Sequence, residues 1–353
     1  MSKFLIDRLS SLEEYVPGEQ PQDKKYIKLN TNESPYPPSE AVLEIINSDE
    51  ASRLNLYPDP ACRELTQAFA NLYGVSPETV VFGNGSDEIL SFIFQAFCDK
   101  NRPAVFPDIS YGFYPVFADL YGVPYEEIPL TEDFKVDYHD YLNKKATIII
   151  ANPNAPTGIF MPLPEIEEIL KSNPNNLVVI DEAYIDFGGE SAVNLLPKYD
   201  NLIVVGTYSK SRSMAGARLG FAITSKEIAA DLNKIRFSTN PYNINRLTLL
   251  AGKCAVDDDL YYKENCCKII EDREYLTEEL IKRGFKVLPS KANFIFASSP
   301  KISGKDYYLA LKERGILVRY FDKERLYPFV RITVGTHGEC SKLIEATDDL
   351  GKE

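Results

Sequence analysis

The sequence is poor in the side chains that usually bind transition metals. It contains only two histidines, His139 and His337, and its six cysteines form no C-x-x-C pair. The cysteines are spread along the chain, at Cys62, Cys98, Cys254, Cys266, Cys267 and Cys340. We therefore expect reduced cytosolic thiols, with the adjacent Cys266 and Cys267 structural, and no zinc site.

Positive charge is also scarce. The chain has 39 basic and 52 acidic residues, which gives a net charge of -13. Such an acidic chain is repelled by nucleic acid and by anionic membrane surfaces, so we expect neither as a partner. An anionic ligand would need a local basic pocket.

Long apolar runs are absent from the sequence. No stretch of eighteen apolar residues occurs, and the first twenty residues, MSKFLIDRLSSLEEYVPGEQ, have no apolar core of the signal-peptide type. We expect a cytoplasmic protein without a membrane-spanning segment.

The sequence does contain alternating helical and strand patterns. Hydrophobic residues make up 44% of the chain, enough for a sizeable core. Apolar runs typical of buried strands occupy residues 79–82, 104–106, 146–151, 176–181, 201–206 and 220–224. Because these runs are apolar throughout, they predict an α/β fold whose mostly parallel sheet is covered by helices on both faces.

The pattern also divides the chain into three expected parts. Residues 1–45 form a proline-rich N-terminal segment that packs on a small domain and over the cleft. Residues 46–255 form the large α/β domain, and residues 256–353, which begin with a long helical pattern, form a small α+β domain.

The loop FGNGSDE, residues 82–88, is the first that could bind a ligand. Gly83 and Gly85 permit a tight turn, and Ser86 and Asp87 begin a helix whose free N–H groups favour phosphate. Glu88 occupies the place of the third glycine in G-x-G-x-x-G, which argues against a nicotinamide-dependent dehydrogenase. A plain tight turn is an equal alternative.

Two more loops follow apolar runs and carry charge. Asp181 and Glu182 end one run, where a buried carboxylate needs a cation or several donors, although a helix cap is an equal alternative. The stretch TYSKSRSMAGARLGF places Lys210, Arg212 and Arg218 among small residues after the next run. Loops at the carboxyl ends of parallel strands meet at one edge of the sheet.

Together these loops offer a phosphate cradle, a buried carboxylate and a lysine, and pyridoxal 5′-phosphate uses all three. The chain also resembles the fold type I aminotransferases, and among them the histidinol-phosphate aminotransferase family, along nearly its whole length. The matching motifs are LNTNESPYP, LYPDP, GNGSDE, SYGFY, NPNAPTG, DEAYIDF, YSKSRSMAGARLGF, GILVRYF and VRITVGT.

The resemblance implies roles for the cofactor residues. Lys210 would form the Schiff base with the cofactor and act as the base once the substrate amine displaces it. Asp181 would pair with the ring nitrogen, Tyr184 would bond the phenolic oxygen, and Tyr111 would stack on the ring. The residues implied for the cofactor phosphate are Gly85, Ser86, Asp87, Thr207, Ser209 and Arg218.

The resemblance also implies a homodimer and a substrate site. Tyr57 of LYPDP would reach the cofactor phosphate of the neighbouring subunit. Arg331 would bind the substrate carboxylate, Arg319 the substrate phosphate, and Tyr15 and Asn32 would line the site. Without the resemblance, a surface salt bridge would be the simpler interpretation of either arginine.

One position departs from the family pattern. An asparagine that bonds the phenolic oxygen usually precedes the proline of PTG, and this chain has Ala155 there. We hypothesise that Asn154 substitutes for it. The alternatives are that Asn152 does so or that Tyr184 acts alone.

The implied reaction is transamination of L-histidinol phosphate with 2-oxoglutarate, giving imidazole acetol phosphate and L-glutamate. An aromatic amino-acid aminotransferase and a threonine-phosphate decarboxylase share nearly all of the cofactor residues and remain alternatives. A protein that only binds pyridoxal phosphate is disfavoured by the intact set of Lys210, Asp181 and Arg218.

Overall fold

A computed structural model describes residues 3–350 of the chain. The strands are β1 (Ile27–Lys28), β2 (Val80–Gly83), β3 (Ala104–Pro107), β4 (Tyr125–Ile128), β5 (Thr147–Ala151), β6 (Val178–Asp181), β7 (Leu202–Thr207), β8 (Gly220–Thr224), β9 (Lys286–Val287), β10 (Phe294–Ser298), β11 (Ile316–Leu317), β12 (Arg319–Tyr320) and β13 (Phe329–Thr333). The helices are α1 (Glu40–Ile46), α2 (Arg63–Tyr73), α3 (Ser86–Phe97), α4 (Phe113–Tyr121), α5 (Leu163–Ser172), α6 (Lys226–Thr239), α7 (Arg246–Asp257), α8 (Asp259–Lys282), α9 (Gly304–Glu313) and α10 (His337–Leu350).

The largest sheet has seven strands in the order β2-β8-β7-β6-β5-β3-β4. Neighbouring strands from β7 to β4 pair in parallel, and only β8 runs against its neighbours β2 and β7. The predicted α/β fold with a mostly parallel sheet is confirmed.

Both faces of this sheet are buried, which explains the uninterrupted apolar runs. Successive residues of β5 point to opposite faces, so Ile149 packs in the core beneath α3 and α4 whereas Ile148 and Ile150 pack beneath α5. The strands inside the sheet therefore carry apolar residues at nearly every position.

A second, antiparallel sheet has the order β12-β13-β10-β9 and packs with α8, α9 and α10. The N-terminal segment joins this region because β1 pairs in parallel with β11, with Ile27 opposite Ile316. Strands β11 and β12 come from GILVRYF, so this motif binds the segment and also positions Arg319.

One strand of the large sheet was not predicted from the sequence. The chain forms an edge strand at β4, which the sequence did not reveal because three of its four positions are exposed. Helix α2 begins at Arg63, after Cys62 adopts a left-handed conformation with φ of 51°. Between residues 3 and 350, no helix combines the length and apolar character needed to cross a membrane.

Candidate active site

A cavity of about 320 Å³ lies at the carboxyl ends of β6 and β7. Its lining includes most of the predicted cofactor residues, namely Ser86, Asp87, Tyr111, Asp181, Tyr184, Thr207, Ser209, Lys210 and Arg218. A wider groove of about 830 Å³ between α2 and α7 is lined by none of the predicted site residues. The ligand site expected at this sheet edge therefore coincides with the smaller cavity.

Asp181 ends β6 with its side chain buried in the floor of the cavity. The carboxylate accepts hydrogen bonds from the Tyr114 hydroxyl at 2.9 Å and from the backbone N–H of Ala183 at 3.3 Å. Burial raises the pKa of Asp181 to about 6, although both hydrogen bonds oppose that change. A carboxylate that is ionised at neutral pH and shielded from water stabilises a cationic group placed beside it.

Lys210 follows β7 and reaches into the same cavity. Its Nζ lies 3.4 Å from the carbonyl oxygen of Thr31 and 5.7 Å from the centre of the Tyr184 ring. The charge of Lys210 also favours the ionised form of Asp181. Because the one hydrogen bond to Thr31 is long, the amine is available for covalent chemistry.

The start of α3 forms the anion-binding end of the cavity. Gly85 precedes the helix with φ of 79°, and a Cβ at this position would overlap the Arg218 guanidinium. Arg218 places Nη2 2.9 Å from the Asp87 carboxylate and Nη1 3.4 Å from the Ser209 hydroxyl. The helix N-terminus and this guanidinium can bind one phosphate together.

The adjoining strands complete this end of the cavity. The Thr207 and Ser209 hydroxyl oxygens lie 3.0 Å apart at the end of β7. On β8, Gly220 lies so close to the helix that a Cβ there would overlap the backbone nitrogen of Ser86. These donors and the close backbone approach fit the phosphate group of pyridoxal phosphate.

Asn154 does not face the cavity, contrary to our hypothesis. Its amide nitrogen donates to the carbonyl of Ile109 at 2.9 Å and to the Thr157 hydroxyl at 3.1 Å, and its oxygen accepts from Ser110 at 2.8 Å. Both amide hydrogens are thus used inside the protein. The structure therefore gives no support to Asn154 as the substitute for the missing asparagine.

Asn152 is held by another loop and does not line the cavity. Its amide exchanges hydrogen bonds with the backbone of Met161, at 2.9 and 2.8 Å. Ala155 lines the cavity without a polar side-chain atom, whereas Tyr184 lines it with a hydroxyl. Of the three alternatives, the geometry favours Tyr184 acting without a second donor from the NPNAPTG loop.

Tyr111 connects the aromatic wall of the cavity to its anion-binding end. Its hydroxyl donates to Asp87 at 2.7 Å, and its ring lies 6.2 Å from the Tyr15 ring. Tyr15 in turn stacks on Phe113 at 4.3 Å. The N-terminal segment therefore contributes an aromatic ring beside the cavity.

Arg331 lies on β13 beneath the N-terminal segment. Its Nη2 donates to the carbonyl of Asn30 at 3.0 Å, and its guanidinium lies 5.4 Å from the Phe294 ring centre and 5.5 Å from that of Phe321. Its Nε is shielded from solvent and has no hydrogen-bond partner within residues 3–350. Burial lowers the pKa of Arg331, so an anionic ligand would stabilise this side chain.

Arg319 is the second arginine of this region. It donates to the carbonyls of Val16 and Pro17, both at 3.2 Å. Burial raises the pKa of Tyr15, and the charges of Arg331 and Arg319 oppose that change. Tyr15 therefore lies within electrostatic reach of both arginines.

Tyr57 and Asn32, like the other predicted substrate residues, lie outside the cavity lining. Tyr57 is 76% exposed and stacks on Tyr242 with ring centres 4.3 Å apart, so it does not enter the cavity of its own chain. Asn32 is buried, and its amide donates to the Tyr184 hydroxyl at 3.0 Å. Tyr114, the partner of Asp181, was missed although it lies in the SYGFY motif, because only contact geometry identifies it.

The chain is similar to known aminotransferases along nearly its whole length. A family model described as aminotransferase class I and II matches residues 24–346. A histidinol-phosphate aminotransferase of Clostridium beijerinckii is 49% identical over 345 residues, which cover 98% of this chain and 96% of that protein. One of Brachyspira hyodysenteriae is 48% identical, with 98% of each chain covered. The crystal structure of a histidinol-phosphate aminotransferase of Sinorhizobium meliloti in complex with pyridoxal-5′-phosphate matches with a TM-score of 0.86 and 25% identity, covering 99% of this chain and 100% of that chain.

Proposed function

Because this chain belongs to the class I and II aminotransferase family, we propose that it transfers the amino group of L-histidinol phosphate to 2-oxoglutarate, a step of histidine biosynthesis. The products are imidazole acetol phosphate and L-glutamate. The enzyme depends on pyridoxal 5′-phosphate. The names of its relatives support this substrate, and the residues of the cavity support this cofactor.

The observation that carries the proposal is the grouping of Lys210 and Asp181 in one cavity, with Arg331 and Arg319 around Tyr15 nearby. Lys210 and Asp181 supply the amine and the carboxylate that an aminotransferase needs. The two arginines supply cations for the charged groups of the substrates.

Each residue has a role in the mechanism. When bound, pyridoxal phosphate supplies an aldehyde that condenses with amines and a ring that withdraws electrons from the adjacent carbon. Asp181, whose carboxylate Tyr114 orients, would accept a hydrogen bond from the protonated ring nitrogen. The Lys210 amine would take the proton from the substrate α-carbon and deliver it to the carbon that carried the aldehyde. Tyr184 would donate a hydrogen bond to the phenolic oxygen.

The substrate arginines bind two different anions in turn. Arg331 binds the carboxylate next to the reacting carbon of 2-oxoglutarate or glutamate, and Arg319 binds the phosphate of L-histidinol phosphate. A guanidinium donates two parallel hydrogen bonds to either anion, so the same pair serves a phosphomonoester and a dicarboxylate. Arg319 must then exchange its bonds to Val16 and Pro17 for bonds to the ligand. Tyr15 and Asn32 complete this side of the site.

We also propose a cytoplasmic homodimer in which Tyr57 reaches the cofactor phosphate of the partner subunit. Tyr57 belongs to an exposed patch, defined here as Tyr57, its chain neighbours Leu54 and Leu56, and Tyr242, on which the Tyr57 ring stacks. Exposed apolar and aromatic side chains grouped in this way are typical of protein interfaces. The proposed division of each subunit is the N-terminal segment of residues 1–45, a large domain of residues 46–255 and a small domain of residues 256–353.

An assay of amino transfer tests the proposed function. The holoenzyme is mixed with 2-oxoglutarate and either L-histidinol phosphate, L-phenylalanine or L-threonine phosphate, and glutamate is measured. We expect the highest kcat/KM with L-histidinol phosphate. Lys210→Ala should lower that rate by at least about a thousandfold because it removes the base, whereas Lys198→Ala, at an exposed lysine, should not change it. A preference for phenylalanine, or carbon dioxide release from threonine phosphate without glutamate, would contradict the proposal.

A further inference from the structure

Asn32 connects the N-terminal segment to the catalytic tyrosine. It is 1% exposed and adopts a left-handed backbone conformation with φ of 57°. Its backbone N–H donates to the Thr333 hydroxyl at 2.9 Å, and its carbonyl accepts from the Asn293 amide at 3.0 Å. Its side-chain nitrogen donates to the Tyr184 hydroxyl oxygen at 3.0 Å.

The neighbours of Asn32 determine which way its amide points. The Thr333 hydroxyl accepts from the backbone N–H of Asn32 and lies 2.9 Å from Asn32 Oδ1, so its own proton is donated to that oxygen. With the oxygen fixed on Thr333, the nitrogen must face Tyr184. The Tyr184 oxygen therefore accepts a hydrogen bond.

This arrangement leaves the Tyr184 proton unused by the protein. A hydroxyl has one proton to donate, and within residues 3–350 the only hydrogen bond of the Tyr184 hydroxyl is the one it accepts from Asn32. Tyr184 also lines the cavity. Its proton is thus available to a ligand there.

The missing amide at Ala155 makes this proton more important. Asn154 donates both amide hydrogens, to Ile109 and Thr157, and Asn152 is bonded to the backbone of Met161, so neither side chain lines the cavity in place of the absent donor. The phenolic oxygen of the cofactor then depends on Tyr184 for its hydrogen bond from this side.

We propose that Asn32 is a positioning residue: by donating to the Tyr184 hydroxyl, it directs the tyrosine proton to the phenolic oxygen of the cofactor and compensates for Ala155. This inference rests on the proposed function, since it requires pyridoxal phosphate linked to Lys210. A donor that is itself hydrogen-bonded through its oxygen becomes a stronger donor.

The test is a pH titration of the visible absorbance of the holoenzyme. A hydrogen bond to the phenolic oxygen stabilises the negative charge that remains when the nitrogen joining Lys210 to the cofactor loses its proton. Weakening that bond should raise the pH midpoint of the absorbance change. We expect Asn32→Gly, which removes the amide and tolerates the positive φ, to raise the midpoint by roughly 0.5 to 1 pH unit.

Two further variants separate positioning from a structural role. In a Tyr184→Phe background, Asn32→Gly should cause no additional rise, because its effect passes through the tyrosine hydroxyl. Ala155→Asn should bring the midpoint of the Asn32→Gly variant back down by supplying a direct donor. An equal rise of the pH midpoint on Asn32→Gly in the wild-type protein and in the Tyr184→Phe variant would overturn the inference.

A matched control comes from the same segment. Asn30 is also buried, and its side chain donates to the carbonyl of Glu19 instead of Tyr184. Asn30→Gly should therefore leave the midpoint unchanged, and a rise like that of Asn32→Gly would contradict the proposal. If the wild-type protein forms no visible band with pyridoxal phosphate, the proposed function itself fails. If the band titrates normally and Asn32→Gly leaves its midpoint unchanged, the inference alone fails.

Discussion

Asp181 illustrates how a residue proposed to bind a cofactor can destabilise the chain when the cofactor is absent. Its carboxylate is buried, and burial raises its pKa from 3.8 to about 6. Because the pKa of Asp181 is higher in the folded than in the unfolded chain, the protonated side chain contributes stability to the folded state. This contribution is fully present below pH 3.8 and is lost as the pH rises through about 6. At neutral pH the carboxylate is therefore ionised at a cost in stability, which a cationic ring nitrogen in the cavity would offset.

This reasoning predicts opposite effects of Asp181→Asn on stability and on binding. At pH 7 the cofactor-free variant should be more stable than the cofactor-free wild type by about 1 to 3 kcal/mol, because no buried charge forms. The same variant should bind pyridoxal phosphate more weakly. Chemical unfolding of both apoproteins at pH 4 and pH 7 measures the first effect, and cofactor titration measures the second. Equal stability differences at the two pH values would contradict the explanation.

Arg331 allows a prediction about substrate binding. Its shielded Nε lacks a hydrogen-bond partner among the described residues, 3–350, so this nitrogen can donate to an anion. Arg331→Leu should raise the KM for 2-oxoglutarate by about tenfold to a hundredfold, because a charge-assisted hydrogen-bond pair is lost. Arg325→Leu is the control, since Arg325 donates to the carbonyls of Leu130 and Thr131, away from the cavity lining. An unchanged KM in Arg331→Leu would assign the carboxylate to another residue.

At the residue scale, the sequence motifs predicted which residues line one cavity better than they predicted the hydrogen bonds of each side chain. Lys210, Asp181 and Arg218 line one cavity, as loops at the ends of parallel strands should. Asn154 was placed at the cofactor because of its proximity to Ala155 in sequence, yet its amide hydrogens bond Ile109 and Thr157. Which way an amide points depends on partners from other loops, and the sequence of one loop does not contain them.

At the element scale, the start of α3 depends on glycine. Gly85 has φ of 79° and lies against the Arg218 guanidinium. Any other residue here would adopt a strained backbone conformation and would have no space for its side chain. Gly85→Ala should displace Arg218 and weaken pyridoxal phosphate binding by about tenfold to a hundredfold, since a charge-assisted bond to phosphate is lost. Binding is measured by titrating each variant with pyridoxal phosphate and following fluorescence. Gly338→Ala is the control, because a Cβ added at Gly338 would meet open space. Tight binding by Gly85→Ala would contradict this interpretation of the loop.

Apart from the exposed edge strand β4, the strands of the large sheet were predictable because they are buried on both faces, as in β5 and β7. The direction of β8 was not predictable from its own residues, because an apolar run is compatible with either direction. The antiparallel turn from β7 to β8 matters for function. It brings Lys210 and Arg218, eight positions apart, to the same edge of the sheet.

At the scale of the whole molecule, the N-terminal segment and the second sheet complete the site. Pairing of β1 with β11 anchors the segment, and Arg319 and Arg331 bond to its carbonyls. The resemblance implied the residues of this region, but only the structure relates Tyr15, Asn32 and Arg331 to the cavity. Such contacts join residues some three hundred positions apart, which local sequence patterns do not report.

The proposed dimer leads to a prediction about assembly. The wild-type protein should have a mass of about twice the 39.8 kDa chain by light scattering. Leu56→Asp places a charge in the exposed patch, so it should promote dissociation and weaken cofactor binding because Tyr57 no longer reaches the partner. Leu309→Asp, on the exposed face of α9, should do neither. A monomeric wild type that binds the cofactor tightly would contradict the proposed interface.

The most direct test of the central claim is a single-turnover absorbance measurement on the holoenzyme. L-Histidinol phosphate is added without a keto acid, and the visible band of the cofactor bound to Lys210 is followed in time. The account predicts rapid loss of that band, formation of the pyridoxamine form, and recovery of the band when 2-oxoglutarate is added. A band that persists with L-histidinol phosphate but disappears with another amino donor would contradict the assigned substrate, and a protein without the band would contradict the assignment of Lys210.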